Sequence, residues 1–113
     1  MSGVPKRFKR FTEEFPQIAE AYEKLGDAVH SAGPLDSKTR ALIKLAISTG
    51  ARMEGAVHSH TRKALKAGAT REEMRQVALL ALPTIGLPNM MAALSWMDDI
   101  LDEAEEEKPV KDV

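Results

Sequence analysis

The stretch that decides the fold is ALKAGATREEM, residues 64–74. Gly68 tolerates the backbone conformation that follows a helix, so it ends the helix formed by the residues before it. Two residues later, Thr70 and Glu73 have the T-x-x-E spacing of a capping box, in which the hydroxyl and the carboxylate each satisfy a free backbone N–H group. One helix therefore ends and another begins within this stretch.

Helical spacing of apolar residues extends in both directions from there, and no segment alternates apolar and polar residues as a strand would. We predict an all-α chain with five to six helices in a single domain spanning residues 1–113, with flexible ends that include residues 108–113. Gly33-Pro34 and Pro83 interrupt the pattern, because proline cannot continue a helix. The predicted helices cover about residues 16–31, 37–50 (with Asp36 as N-cap), 52–67 and 71–82, then a helix from Pro88 into the acidic run at 102–107. A short turn over residues 12–14 is expected before them.

The predicted helices differ in how their apolar residues are distributed. Helix 37–50 carries apolar residues most of the way round, which is typical of a central helix covered on several sides. Helix 16–31 and the helix from Pro88 each carry one apolar stripe. The stripe residues are Ile18, Ala21, Tyr22, Leu25, Ala28 and Val29 in the former, and Met91, Leu94, Met97, Leu101 and Ala104 in the latter.

The composition predicts a thin core. Of the 113 residues, 43% are hydrophobic but only 4% are aromatic, so the core is built mostly from slim aliphatic side chains. A domain this small buries a limited share of its surface. We therefore expect further copies of the chain to cover part of the apolar surface, which predicts a homo-oligomer.

Charge and cysteine content exclude several classes of protein. Sixteen basic and seventeen acidic residues give a net charge of −1, whereas nucleic-acid binders carry a clear basic excess. No run approaches the roughly 18 apolar residues of a membrane span, and no apolar segment follows the basic N-terminal residues. We expect a soluble, cytoplasmic protein that binds neither nucleic acid nor membrane.

The absence of cysteine excludes disulfides, thiolate metal sites and thiol redox chemistry.

Three histidines are the first candidates for chemistry. His30 falls in the last turn of a predicted helix, where the helix dipole favours a surface imidazole. His58 and His60 point about 200° apart on one helix, so they cannot bind one metal ion together. We predict no metal site; the alternative is a site formed by His58 and Glu54 with a residue of another subunit.

His58 and His60 lie on opposite faces of their helix. His58 shares the polar face with Glu54, four residues before it, within reach of a surface ion pair. His60 lies on the apolar face, where a histidine either finds a hydrogen-bond partner in the core or lines a cavity. Three arginines either hold a carboxylate ligand or are simply solvated: Arg40, Arg52 and Arg62.

Three segments resemble the carboxymuconolactone decarboxylase family, which shares its fold with alkylhydroperoxidase D. They are residues 35–43 (LDSKTRALI), 60–74 (HTRKALKAGATREEM) and 83–88 (PTIGLP). The resemblance covers about residues 15–101 and is most specific between His60 and Glu73. It implies an all-helical fold that assembles into homo-oligomers, commonly trimers or hexamers.

The chain departs from the peroxidase-like members of that family at their thiols. Those members carry cysteines seven and four residues before the helix histidine, and a glutamate that relays a proton. Met53, Ala56 and Ala41 stand at these three positions here, and only His60 matches. A peroxide reductase needs a thiolate nucleophile and a resolving thiol, so that mechanism is excluded.

The decarboxylase members work without thiols, and the resemblance implies a substrate such as 4-carboxymuconolactone. Losing CO₂ and gaining a proton at carbon requires an acid/base group in a dry pocket and a cation to hold a carboxylate. His60 matches the family histidine and could transfer the proton. Arg40 or Arg52 could hold the anionic substrate, with Glu54 or His58 assisting. No cofactor is expected.

Two functions remain open. The first is a cofactor-free lyase or isomerase acting on a small carboxylated lactone or ring acid, with His60 as general acid/base. The second is a non-catalytic helical oligomer that binds a small ligand or a protein partner, since the glutamate and both thiols are missing. An enzyme should place His60 in a pocket beside a convergent arginine, whereas a binding module should pack and hydrogen-bond it in a sealed core.

Overall fold

The computed structural model describes residues 5–106, which form helices joined by short turns, with no strand among them. This confirms the prediction of an all-α chain. The prediction of flexibility at residues 108–113 lies outside the described residues. The helices are α1 (Lys6–Glu14), α2 (Pro16–His30), α3 (Ser37–Gly50), α4 (Glu54–Lys66), α5 (Arg71–Leu80), the four-residue α6 (Leu82–Ile85) and α7 (Leu87–Glu106).

The chain folds as two compact units, one ending at Asp36 and the other beginning at Ser37. The first contains α1 and α2, which contact each other. In the second, α3 packs against α4 and α5, while α7 packs against α4, α5 and α6. No helix between residues 5 and 106 combines the length and the apolar character that crossing a membrane requires.

Helix α1 is longer than the short lead-in turn that the sequence predicted over residues 12–14. It begins at Lys6 and runs for nine residues. Phe8, Phe11 and Phe15 follow one another at helical spacing, with ring centroids 6.4 and 5.8 Å apart. Aromatic side chains three and four residues apart lie on the same side of a helix and contact each other, which extends the turn into a helix.

Helix α2 has the predicted stripe, but the stripe is not buried. α2 begins at Pro16, as predicted, and contains no buried residue. Ile18, Tyr22, Leu25 and Val29 each expose more than half of their surface. The chain therefore has the predicted stripe and leaves it uncovered among the residues that the structure describes.

The core of the second unit is built from aliphatic side chains of α3, α4, α5 and α7, as the composition predicts. Its largest fully buried members include Leu45, Met74 and Met97. Alanines between them let the helices approach closely, since a slim side chain fills little space between two backbones. The buried cluster comprises Leu45, Val57, Ala64, Ala69, Met74, Ala78, Ala93, Met97 and Leu101.

Helix α3 has the predicted bounds, and α4 and α5 pack on it, but part of its apolar surface is exposed. Leu45, Ser48 and Thr49 are its buried residues. Ile43 is exposed, and Ile47 exposes 64% of its surface. The expectation of a helix covered on several sides is therefore met only in part within the described residues. The apolar side chains run most of the way round α3, and the two helices that pack on it leave some of them exposed.

The boundary between α4 and α5 is the predicted one. Gly68 has a φ of 91°, in the left-handed region that favours glycine. The backbone N–H of Glu73 donates to Thr70 Oγ1 at 3.1 Å, and the backbone N–H of Thr70 donates to Glu73 Oε1 at 2.9 Å. Lys38 of α3 donates to the second oxygen of Glu73 at 2.9 Å, so the capping box also fastens α5 to α3.

The segment around Pro83 is more helical than predicted. α5 ends at Leu80, and Pro83 lies in the first turn of α6, where a missing N–H group costs little. Gly86 then adopts a φ of 97° before α7 begins. Of the connector expected over residues 84–88, the first two residues therefore belong to α6, Gly86 is a left-handed turn residue, and the last two belong to α7.

The buried face of α7 is turned relative to the predicted stripe. Met97 and Leu101 are buried as expected, but Met91 is exposed. Arg71 of α5 holds this helix through three of its carboxylates, with nitrogen–oxygen distances of 3.6 Å to Asp98, 2.9 Å to Asp102 and 3.7 Å to Glu105. The residues of α7 that are buried are Met90, Ala93, Met97, Ile100 and Leu101.

Candidate functional site

The site centres on His60, which lies in the middle of α4 and is half-buried. Lys63 follows it by one turn on the same helix, and Lys44 approaches from α3. Both lysines act electrostatically on the imidazole. Burial, followed by Lys63 and then Lys44, lowers the pKa of His60 from 6.5 to about 4. The imidazole is therefore neutral at pH 7.

Lys44 is itself part of a cluster of positive charge. Its pKa is lowered, first by burial and then by Lys63 and Arg40. Arg40 precedes it by one turn of α3 and is half-buried. Lys44 is therefore within electrostatic range of both Arg40 and Lys63, and we call these three residues, with His60, the basic cluster.

His60 fits neither of the two arrangements expected from the sequence. Its ring makes no hydrogen bond to any residue between 5 and 106, so it is not a satisfied core histidine. The cations that act on its ring are Lys63 and Lys44, rather than the convergent arginine that was expected. Thr61, its neighbour in sequence, is fully buried and donates to the Val57 carbonyl at 2.7 Å, which fixes this turn of α4.

His58 has a partner on another helix. Its Nε2 lies 3.1 Å from Asp99 Oδ2 of α7, where the ring N–H can donate to the carboxylate. The partner expected from the sequence was Glu54, which lies at the exposed start of α4 instead. His58 therefore helps to join α4 to α7.

Arg52 and Glu54 lie at the turn between α3 and α4, both exposed. α4 begins at Glu54 rather than at Arg52. Arg52 lies outside any helix and has a left-handed φ of 59°. Glu54 precedes His60 by six residues, about 9 Å along the helix. Of the four residues predicted to help His60 bind a substrate, only Arg40 belongs to the basic cluster.

The sequence analysis did not single out Lys44 and Lys63. Part of the signal was present, since Arg40 and Lys44 are four residues apart and His60 and Lys63 three apart, which places each pair on one helix face. Which face of α3 meets which face of α4 depends on packing, and the spacing within one helix does not contain that information.

A separate apolar cavity of about 210 Å³ lies between α3, α5 and α6. Thr49, only 4% exposed, lines it and has a buried hydroxyl with no hydrogen-bond partner among the described residues. His60 and the basic cluster are not part of its lining, which comprises Ala46, Thr49, Gly50, Val77, Leu80, Ala81, Thr84 and Ile85. Between residues 5 and 106, no group of three or more His, Asp or Glu side chains is placed to hold a metal ion.

The lowered pKa of His60 predicts an acid-sensitive contribution to stability. The unfolded chain takes up a proton near pH 6.5 and the folded chain only near pH 4, so stability falls as the pH drops through that window. Because the ring is partly solvated, we expect a loss of roughly 1 kcal/mol. Urea unfolding of the parent and of His60→Gln at pH 7 and pH 4.5 measures it.

Glu73 is the control, because it titrates at lower pH than the His60 window and is present in both the parent and His60→Gln. The Thr70 backbone N–H and then Lys38 lower the pKa of Glu73 from 4.5, so its contribution is present above pH 4.5 and is lost at lower pH. The parent should lose more stability than His60→Gln between pH 7 and pH 4.5, and the two proteins should behave alike below pH 4. Equal losses in the upper window would contradict the assignment to His60.

Residues 16–99 match the sequence model of the Carboxymuconolactone decarboxylase family. This region contains α2 to α6, most of α7 and the whole basic cluster. The chain belongs to that family. As a carboxymuconolactone decarboxylase family protein without cysteine, it lacks the thiols of the peroxidase-like members, with Met53 and Ala56 in their places.

Other proteins are similar to this chain in structure or in sequence. The apo crystal structure of a carboxymuconolactone decarboxylase family protein from Legionella pneumophila superposes with a TM-score of 0.72, at 25% identity and 86% coverage of each chain. An uncharacterized protein of Methanocaldococcus jannaschii is 30% identical over 89 residues, which are 78% of this chain and 86% of that one. An uncharacterized protein of Haemophilus influenzae is 36% identical over 63 residues, and the match spans 56% of each chain's length.

Proposed function

We propose that the protein is a cofactor-free lyase that acts on a small carboxylated lactone or ring acid, with His60 as the group that transfers the proton. The observation that carries this is the state of His60, which is half-buried beside two lysines without a hydrogen bond to any described residue. A buried imidazole with a purely structural role is normally hydrogen-bonded. Here no described residue occupies the ring nitrogens, so they are open to solvent or to a ligand.

The chemistry requires two kinds of group, and both are present. Decarboxylation breaks the bond between the ring carbon and the carboxylate carbon, CO₂ leaves, and the electron pair moves into the conjugated lactone. A proton is then added at carbon. The cations offset the negative charge that develops, and His60 carries the proton. Since His60 is neutral at pH 7 in the free protein, it must take up a proton before it can donate one.

Turnover of 4-carboxymuconolactone, followed by absorbance, tests the proposal. Consumption of the substrate with release of CO₂ by the protein, without added metal or cofactor, is the expected result. No consumption of this compound or of other small carboxylated lactones would overturn the lyase assignment.

Two observations favour a second candidate, a non-catalytic oligomer that binds a small ligand. The cavity beside Thr49 is apolar and does not include His60, and Ala41 replaces the proton-relaying glutamate of the peroxidase-like members. On this alternative a small apolar molecule binds next to Thr49 and His60→Gln binds it unchanged.

We further propose that the chain assembles into a homo-oligomer, a trimer or a hexamer. Sixteen large hydrophobic residues are exposed in the described part of the chain, nine of them in the second unit. Soluble monomers rarely expose apolar patches beyond a few hundred Å². The native mass, measured by light scattering, should be a multiple of the 12.4 kDa chain mass, and a mass equal to one chain would overturn this proposal.

A further inference from the structure

The cavity between α3, α5 and α6 reaches from the surface of the second unit into its packed interior. Thr49 and Ala81 line it and are buried, whereas Ala46, Leu80 and Ile85 line it and are exposed. A small molecule can therefore enter the cavity from solvent and contact side chains that water does not reach in the free protein.

Thr49 contributes a hydroxyl group that the fold leaves unsatisfied. In a helix, such a hydroxyl commonly donates to the carbonyl four residues earlier. Ser48, Thr61 and Thr84 do so, at 2.8, 2.7 and 2.7 Å. The Thr49 hydroxyl is buried and has no hydrogen-bond partner among residues 5–106. A buried hydroxyl without a partner costs stability, and a ligand in the cavity would supply the missing partner.

The rest of the lining determines which kind of molecule fits. Among the described residues, no charged side chain lines the cavity, and apart from Thr49 and Thr84 its side chains are aliphatic. A charged ligand would lose its hydration here without gaining a counter-charge. A buried water molecule needs two to four polar partners, which this lining does not offer. A cavity of about 150 Å³ binds benzene, so one of about 210 Å³ has room for a six-membered ring with a small substituent.

We propose that this cavity binds a neutral six-membered ring that carries one hydroxyl or carbonyl oxygen, such as a phenol, and that the Thr49 hydroxyl recognises the oxygen. A threonine hydroxyl both donates and accepts, and threonine in a helix has two accessible rotamers, so the group can turn towards a ligand. The proposal deepens the second candidate function, on which it rests for the use of the cavity, by naming the ligand. It does not depend on the lyase, whose carboxylated substrate this uncharged lining does not fit.

Phenol and toluene are the matched probes, because they differ only in a hydroxyl against a methyl group. NMR of the methyl groups of Val77 and Ile85, which line the cavity, follows binding through the ring current of the aromatic probe. Phenol should shift these signals to saturation. Thr49→Val keeps the shape of threonine without its hydroxyl, and it should lower the ratio of phenol affinity to toluene affinity roughly tenfold, the effect of one buried hydrogen bond.

Thr84→Val is the matched control. Thr84 lines the same cavity, but its hydroxyl already donates to the Leu80 carbonyl, so this variant should leave the affinity ratio unchanged. Thr49→Val should also keep or raise the thermal midpoint of the ligand-free protein, because it removes a buried polar group that has no partner. A lower midpoint would show that the Thr49 hydroxyl has a structural role and would overturn the proposal.

The remaining outcomes separate this site from the two candidate functions. An affinity ratio that is the same in the parent and in Thr49→Val overturns the recognition of the oxygen, while the apolar ligand of the second candidate survives. Turnover of 4-carboxymuconolactone together with Thr49-dependent phenol binding supports this site and removes the non-catalytic candidate. No saturable binding of phenol overturns the proposal. Binding that appears only when the native mass falls to that of one chain also overturns it, because another copy of the chain then fills the cavity.

Discussion

Replacing His60 by glutamine should lower kcat for 4-carboxymuconolactone about 10²- to 10⁴-fold, the range over which a positioned general acid/base contributes. Glutamine has a similar length and polarity but cannot take up a proton. His60 is only half-buried and makes no hydrogen bond to a described residue, so the variant should fold like the parent. Initial rates from the absorbance assay, with circular dichroism of both proteins, measure the effect.

The split between kcat and KM identifies the role of the imidazole. If His60 acts only in proton transfer, His60→Gln loses kcat with little change in KM, because the lost interaction belongs to the transition state. A raised KM with unchanged kcat would assign His60 to binding alone. His30→Gln, which changes the histidine at the end of α2 in the first unit, should leave both parameters unchanged.

The parts of the fold that the sequence predicted are those encoded by neighbouring residues. The capping box of Thr70 and Glu73 and the left-handed turn at Gly68 depend on groups within four residues of each other. The bounds of α3 followed from similar local patterns. Pro83 was more ambiguous, since proline both ends a helix and opens one, and here it lies in the first turn of α6.

The site could be predicted only in part, because it depends on contacts between helices. The family resemblance pointed to His60, but its neighbour Lys44 comes from α3 and is sixteen residues away in sequence. His58 illustrates the same limit, since four-residue spacing favoured Glu54 and packing supplied Asp99, 41 residues away. A sequence shows which residues share a helix face, whereas the tertiary fold determines which side chains of other helices that face contacts.

Amphipathic patterns predicted apolar faces without predicting what covers them. α2 carries its stripe in the expected place and leaves it exposed. α3 buries one face and exposes Ile43 and Ile47. Both results are consistent with the proposed oligomer, because an apolar face that the chain does not cover is available to another copy of the chain.

Two methionines of α7 allow the core of one chain to be tested separately from the proposed interface between chains. Met97 is 0% exposed within the core, and Met91, nearly two turns earlier, is 53% exposed. Met97→Ala should lower the free energy of unfolding by about 2–5 kcal/mol, because it removes buried methylene groups and leaves a cavity. In a single chain, Met91→Ala should change that free energy by no more than about 0.5 kcal/mol.

Urea unfolding at several protein concentrations measures both variants. The cost of Met97→Ala should be the same at every concentration, because its contacts lie within one chain. If another copy covers Met91, Met91→Ala should instead reduce the native mass, and its cost in stability should depend on protein concentration. A small cost for Met97→Ala would contradict the packing of α7 against the core, since the same Met→Ala change at the two positions differs only in what surrounds the side chain.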